Sequence, residues 1–533
     1  IGEIVDIDHA EALAAPGVLG VVCGSDLVGI SPLFGHIIPD HPILAIDKVR
    51  YFGEPVAVVV AETVQQAQDA AATVWVDYTD LEPLVDADTS LASDLLIHTQ
   101  SYTGPEGGFL GIQAKDTSGN NVAHEVALGW GDVDTAFADA HVVVENTMFF
   151  PMVYAYAMET YNAIADYRGN SLHVITTGQH PVMVRRELAR LFALPLAAVR
   201  VEVPLVGGGY GSKSYTKLEP LAAVASRAVG RPVQVTTDFE AAINTTRADG
   251  AEITMRTAFD VDGTILARDA DIILDTGAYA DNSPLVLAKC ANRCFGPYRV
   301  PALRVRGRAV YTNTTPASSY RGFGAPQGAL SGEVNLDMAA QQLGIDPVDL
   351  RRRNLVAPGE TIMPGKRPMD ADLLADMETV AEALFEHTLI EEPGIRRGRA
   401  LALSASDAGA SPVSTAMVRM HADGSATLLT GSTELGQGSN TVLAQIVARE
   451  LGLDIDQVAV GQSDTLFTPY EWTTGASRTT TITGLAVQAA CQEIWSKLRA
   501  LHSQTQDVDP DAVTIVDGAL LVDGNMTSPR DVI

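Results

Sequence analysis

Near its start the chain sets short apolar runs, Val18-Leu19-Gly20-Val21-Val22 and Val56-Ala57-Val58-Val59-Val60, against an Ala-rich stretch over residues 64–74. Short runs rich in β-branched residues fit strands and the Ala-rich stretch fits a helix, so residues 1–95 read as a small α/β domain. Residues 96–121 hold a polar, Gly-bearing run from Thr99 to Asn121 and read as a linker. Strand-type sequence resumes at Val142. Beyond it, Asp262-Gly263, Asp423-Gly424, Asp517-Gly518 and Asp523-Gly524 each separate two apolar-rich runs, which predicts type I′ hairpins. Helical spacing fills the intervals over 182–194, 218–229, 328–343, 440–451 and 485–501. With no steady alternation of strand and helix, the pattern favours an α+β chain.

One similarity recurs 258 residues apart, from Gln179 to Gln437. Gly178-Gln179 precedes a segment ending ELARLFALPLAAVRVEV, and Gly436-Gln437 precedes one ending VARELGLDIDQVAV. Each copy runs from Gln through a helix to Leu-x-Leu/Ile-x-x-Val-x-Val, then to a small-residue loop and another Ala-rich helix. Two related α+β domains are predicted, 122–395 and 396–533, whose glutamines and loops can converge on one interface, a favoured place for a cofactor.

Composition narrows the classes. A chain of 533 residues exceeds what one core usually organises. Hydrophobic residues make up 46%, yet no window reaches the ~18 uninterrupted apolar residues of a membrane span. Acidic residues outnumber basic ones 66 to 36, for a formal charge of −30 with no basic stripe. Nucleic acid is therefore disfavoured as a partner, because phosphate contacts need Lys and Arg. Cys23, Cys290, Cys294 and Cys491 are too few and too scattered for a disulfide framework, which points to a reducing, cytoplasmic compartment; Cys290 and Cys294 read as core. Both ends look cut: Ile1 opens mid-strand without an initiator methionine, and Ile533 follows no closing signal.

The candidate chemistry lies in glycine loops. VGGGYGSKS, residues 206–214, follows a strand-like run, but Ser212 separates Gly211 from Lys213, so the loop is not a P-loop. The dinucleotide fingerprint fails too, since Ser212 would stand for its third glycine. Three consecutive glycines still allow close backbone approach or positive φ. Three further loops, SSYRGFGAPQ at 318–327, TELGQG at 433–438 and TTGASRTT at 473–480, place hydroxyls, amides and backbone N–H groups ahead of helices. With no metal-ligand cluster, HExxH or CxxC spacing, the set implies a cofactor held mainly by hydrogen bonds.

Taken in order, GQ at Gln179, GGGYGSK at Gly207 to Lys213, YRGFGAPQ at Tyr320 to Gln327, TELGQG and TTGASRTT resemble the molybdopterin-binding large subunit of the xanthine dehydrogenase family of molybdenum hydroxylases. The resemblance covers nearly the whole chain. It implies a hammerhead-like N-terminal domain followed by two molybdenum-cofactor-binding domains. It implies a molybdenum–molybdopterin cofactor, with the cytosine dinucleotide form as an option, held by the dithiolene with no side-chain metal ligand.

Residue by residue, the resemblance sets Gln179 to hydrogen-bond an oxo ligand of the metal, and Gly209, Tyr210 and Gly211 to bring backbone close to it. Arg321 and Gly322 would lie beside pterin and metal, with Gln179 and Arg321 as the catalytic pair. Gln437, Gly438, Thr474, Gly475, Ala476 and Ser477 would bind pterin and phosphate. Tyr210, Ser214, Lys289 and Phe323 would line the substrate pocket. The implied reaction is hydroxylation with water as oxygen source, a buried glutamate acting as base and electrons leaving through [2Fe–2S] clusters and FAD. Two such clusters need about eight cysteines, so iron–sulfur and FAD partner subunits are expected in a hetero-oligomer, a dimer of trimers among the arrangements allowed.

Three departures follow from that comparison. The family's base sits in a downstream Gly-x-Gly-Glu motif that this chain does not reach, and Glu219, Glu434 and Glu471 are poor replacements, Glu434 reading as structural. Ser214 and Lys289 stand where xanthine-oxidising members carry Glu and Arg, which disfavours xanthine. The third motif lacks the cysteine of carbon monoxide dehydrogenases. An N-heteroaromatic or an aldehyde remains, the heterocycle preferred because Tyr210 and Phe323 can sandwich a flat ring. Two rivals stay open: a cofactor-binding assembly subunit without turnover, and an unrelated hydrolase, for which the sequence offers no G-x-S-x-G elbow.

Overall fold

In the computed structural model, residues 1–105, 108–113, 119–386, 393–405, 413–516 and 518–532 are described. The chain divides into two discontinuous units, one of Ile1–Glu82, Ala155–Thr245 and Asp407–Ile533, the other of Pro83–Tyr154 and Thr246–Ser406.

In the first unit, Gly2–Asp8 lies between Lys48–Val49 and Trp75–Asp80, and Val18–Cys23 pairs antiparallel with Ala57–Ala61. The helix Val64–Ala71 starts where the Thr63 hydroxyl accepts the Gln66 N–H at 3.3 Å. Both copies of the internal similarity then fold alike. Strand Ser171–Thr176 leads through the Gln179 turn to helix Pro181–Leu191, a 3₁₀ turn at Leu196–Ala198, and strand Val199–Val203, parallel to the first. Strand Ala426–Thr430 leads through the Gln437 loop to helix Ser439–Leu451, a 3₁₀ turn at Ile455–Gln457, and strand Val458–Val460, again parallel. The recurring leucines and valines are the reason. Leu188, Leu191, Val199 and Val201 close one core, while Leu443, Val447 and Leu451 close the other with Val487 and Cys491 of helix Gly484–Gln506. The copies lie in separate sheets, but Ser463–Asp464, just beyond the second copy, pairs antiparallel with Val199–Val203 of the first, and Arg200 holds Asp464 at 2.5 Å.

The second unit is built on a five-stranded sheet in the order Val122–Trp130, Ala302–Tyr311, Ile265–Gly277, Gly250–Phe259, Val142–Phe150. Its first strand lies ahead of Val142, where strand sequence was expected to resume, because His124 and Glu125 interrupt its alternation. Helix Ala325–Leu343 starts three residues before the expected 328, since Pro326 is tolerated in the first turn. Gly324, Gly328 and Gly332 lie on one face of it. A Cβ at Gly328 would stand 2.9 Å from the Cys290 carbonyl oxygen, and one at Gly332 2.6 Å from that of Cys294. Both cysteines are thus core; burial drives the thiol of Cys290 well up and that of Cys294 up to about 12.

The hairpin expectation needs correcting at two turns. A type I′ turn requires positive φ at both central residues, and only Asp523-Gly524 has it, with φ of 46° and 83°. At 262–263 and 423–424 the glycine alone is left-handed, at 82° and 86°. These loops are longer, and the carboxylates of Asp260 and Asp423 accept N–H groups inside them. Asp517 lies outside the described residues. No helix among the described residues is long and apolar enough to cross a membrane.

Gly332→Ala tests the glycine face. Helix propensity favours Ala by about 1 kcal/mol, but the close approach to the Cys294 carbonyl predicts a net loss of about 1–3 kcal/mol in urea denaturation.

Candidate functional site

The strand Ser171–Thr176 ends in a turn whose Gln179 side chain is buried, 3% exposed. Its carbonyl Oε1 accepts the Gly211 N–H at 2.9 Å, and its Nε2 donates to the Thr474 carbonyl at 2.9 Å. Main-chain bonds repeat the link: Gln179 N to Lys213 O at 2.8 Å and Thr474 N to Gln179 O at 3.3 Å. The glycine loop meets this amide with its backbone. A Cβ on Gly209 would come within 2.6 Å of Gln179 Oε1, and Gly208, Tyr210 and Gly211 hold φ of 98°, 54° and 100°. Tyr210 is raised to 46% exposure, whereas Ser214 is buried, closing a turn from its N–H to Gly211 O at 3.0 Å. Tyr215 is stacked between His36 and His180, with ring centroids 3.6 and 4.3 Å apart. Burial first, then the neighbouring His36, Lys217 and Arg478, hold the His180 imidazole well below its usual pKa.

The loop of the second copy joins through Thr474, whose Oγ1 accepts the Thr433 N–H at 2.7 Å; Val206 N also donates to Glu434 O at 3.0 Å. The Glu434 carboxylate caps helix Ser439–Leu451, accepting from the N–H groups of Gly436, Gly438 and Asn440, each at 2.9 Å. Burial opposes its ionisation, but these N–H groups with the Ser439 hydroxyl outweigh it and hold the carboxyl below the usual range. Gln437 turns back on its own loop, accepting from Leu435 N at 2.5 Å and donating to Thr433 O and Ser439 Oγ at 3.0 Å. After Thr474, Gly475 is followed by Ala476 and Ser477 in left-handed backbone at 54° and 52°. Behind them Arg478, fully buried, pairs with the equally buried Glu471 and donates to Val413 O at 2.7 Å.

The second unit carries the remaining predicted residues. Gly322, Phe323 and Gly324 form a left-handed run at 101°, 52° and 85°, closed by Phe323 N to Tyr320 O at 2.8 Å. Arg321 and Gly322 are exposed and Phe323 is half-buried. Gly324 packs on helix Ser283–Ala291, which carries the half-buried Lys289. Gln327 donates to the carbonyl of Asp249 at 3.3 Å.

Known proteins share this chain's arrangement. Models of molybdopterin cofactor-binding domains match residues 114–355 and 377–532, and the a/b hammerhead domain of aldehyde oxidase and xanthine dehydrogenase matches 1–82. The gamma subunit of the 6-hydroxypseudooxynicotine dehydrogenase complex of Paenarthrobacter nicotinovorans is 32% identical over 98% of this chain and 67% of its own length. The chain belongs to the xanthine dehydrogenase family of molybdenum hydroxylases. Within this family the large molybdopterin subunit of nicotinate dehydrogenase from Eubacterium barkeri is 32% identical over 68% of this chain and 81% of its own. Quinoline 2-oxidoreductase of Pseudomonas putida 86 superposes with a TM-score of 0.82 at 28% identity, covering 100% of this chain and 70% of that one. A probable xanthine dehydrogenase subunit of Bacillus subtilis is 30% identical over 93% of this chain, which spans 65% of that relative's length.

The loops of the first unit fit the molybdopterin that the family implies. The hydroxyls of Ser432, Thr433 and Thr473 are buried without a hydrogen-bond partner among the described residues, a costly state unless a ligand supplies one. A Cβ at Gly436 or Gly438 would meet nothing within 4 Å, leaving room above that loop. The donors are neutral and suit a polar heterocycle. Three residues were given no individual role from the sequence: Thr433, quoted only within TELGQG, whose hydroxyl is one of the unpartnered three, and the pair Glu159 and Lys213, bonded at 2.8 Å across 54 positions. Lys213 was visible as part of the glycine loop; nothing in VYAYAMETYN marks Glu159.

Two measurements check buried charge, one in each unit. Glu471→Gln leaves the Arg478 guanidinium buried without its counter-charge, and a loss of about 3–5 kcal/mol is expected in urea denaturation. Asp249, 1% exposed, is pushed up to about 8, chiefly by burial. A carboxyl raised above its unfolded value stabilises fully below the unfolded value and loses that contribution as pH climbs to the folded one. Between about pH 4 and 8 the native state should therefore lose about 1.4 kcal/mol per unit through this group, and Asp249→Asn should flatten that slope in pH-dependent denaturation.

Proposed function

We propose that this chain holds molybdenum–molybdopterin on the first unit's loops and is the catalytic large subunit of a hydroxylase. Its reaction oxidises a C–H bond of an N-heteroaromatic, with water as oxygen source. The observation that carries the reading is the meeting of Gln179, the glycine loop, Thr433 and Thr474 beside three buried hydroxyls that lack a partner. When bound, the molybdenum centre supplies two-electron redox chemistry. Gln179 would offer it the second N–H of an amide whose first is fixed on Thr474. Gly211 and Tyr210 would bring backbone near it, and the Ala476-Ser477 turn resembles the concave N–H arrangements that hold anions. Arg321, Gly322, Phe323 and Lys289 of the second unit and Tyr210 of the first keep, in this reading, the cofactor and substrate roles that the family resemblance implies. The buried Ser214 suits a supporting role better than substrate contact.

The heterocycle is favoured by two relatives, named for quinoline and nicotinate. An aldehyde is the alternative, since aldehyde oxidoreductase of Desulfovibrio gigas superposes at a TM-score of 0.80 with 25% identity, covering 98% of this chain and 60% of that one. Electrons would pass to [2Fe–2S] and FAD subunits of a cytoplasmic hetero-oligomer; the four cysteines are buried and unpaired, fitting a reducing compartment. None of three candidate glutamates is free to serve as the base, because Glu219 is held by Thr176 Oγ1 and Lys217 N at 2.6 Å, Glu434 caps a helix and Glu471 pairs with Arg478.

Metal analysis of the protein purified with its partners should give about one molybdenum per chain and a fluorescent oxidised pterin. Dye reduction should then be faster with N-heteroaromatics than with aldehydes. A folded protein without molybdenum or pterin would sink the reading, and a reversed substrate order would move it to aldehydes.

A further inference from the structure

The glycine loop carries a lysine that is 1% exposed, and a buried ammonium is costly unless something fixed answers it. The Lys213 Nζ lies 2.8 Å from Glu159 Oε2. That same oxygen accepts the Gly207 N–H at 2.8 Å, and the Glu159 N–H donates to Gly207 O at 3.1 Å. One residue outside the loop thus grips it at both ends, through the backbone at 207 and the side chain at 213. Approach is close: a Cβ on Gly207 would come within 2.6 Å of the Glu159 Cβ. Lys213 also fixes Gln179, because its carbonyl accepts the Gln179 N–H at 2.8 Å, while Gln179 Oε1 receives Gly211 N–H from the middle of the loop.

From these contacts we propose that Glu159 is a positioning residue of the site: with Lys213 it forms a charged cross-tie that sets where the Gly211 N–H and the Gln179 amide stand. An apolar side chain at 213 would fill the same space at lower desolvation cost, but it would not bind the loop to a carboxylate that also holds Gly207. The consequence for chemistry rests on the function proposed above; the tie itself does not.

The test is hydrogen–deuterium exchange of the full chain, comparing wild type with Glu159→Gln and Lys213→Met. Each variant is expected to speed exchange in peptides covering 207–214 and 179 by at least tenfold, with helix Ala325–Leu343 unchanged. The double variant should be no faster than either single one, as for two halves of one tie. Unchanged exchange at the loop, acceleration spread evenly over the protein, or failure of both variants to fold would each overturn the proposal. In metal-loaded protein, Glu159→Gln should lower kcat more than it raises KM and alter the paramagnetic signal of the metal at unchanged metal content. Metal-free protein with the expected exchange pattern would defeat the functional reading and keep the tie. Metal-loaded protein with wild-type exchange would do the reverse.

Discussion

The side-chain amide of Gln179 has to serve two loops far apart in sequence, and much of the first unit is arranged around that requirement. Its oxygen takes the Gly211 N–H and its nitrogen gives to Thr474 O, so one planar group fixes the distance between residues 211 and 474. For the bond to form, the main chain at Gly209 must come so near that a Cβ would displace the amide and break both contacts. The glycines are therefore spent on proximity to a side chain, whereas a phosphate-binding loop spends them on proximity to a ligand. Thr474 carries the constraint onward, since its hydroxyl takes the Thr433 N–H and ties in the second copy of the strand–helix–strand unit.

Charge is distributed by the same logic. The chain carries a formal −30, yet the groups that converge here are amides, hydroxyls and backbone. Glu434 is satisfied by a helix N-terminus, Glu219 by Thr176 and Lys217, Glu471 by Arg478. Lys213 and Arg478 stand behind the loops, each against a carboxylate, so charge stiffens the supports while the groups that meet around Gln179 stay neutral. A neutral face avoids desolvating an ion each time a ligand enters.

Local signals made the loops legible. Glycine clusters with Ser and Thr ahead of helical spacing located the Gln179, 433–438 and 473–480 segments, and the recurring Leu and Val positions placed both cores. What stayed hidden is set by long-range pairing. Glu159 lies in an unremarkable aromatic-rich run and gains its role from the loop's ends 48 and 54 residues on. The strand Val122–Trp130 hid because His124 and Glu125 interrupt its alternation, and two Asp-Gly turns differed because an aspartate side chain, rather than a second left-handed residue, closed them.

The two copies also show that repeated sequence need not mean repeated work. Gln179 reaches across to other loops, while Gln437, at the matching place, spends its amide on Leu435, Thr433 and Ser439 within its own. The difference starts in the backbone. Gly436 and Gly438 are left-handed at 94° and 81°, curling the second loop under its helix, while Gly178 leads Gln179 straight from a strand end. Freeing Gln437 for a ligand would cost three hydrogen bonds at about 1 kcal/mol each, whereas the neighbouring Thr433 hydroxyl already stands buried and unanswered. Within this loop the cheaper contact is the threonine, so under the proposed function the asymmetry would place the burden of recognition on hydroxyls in the second copy and on an amide in the first.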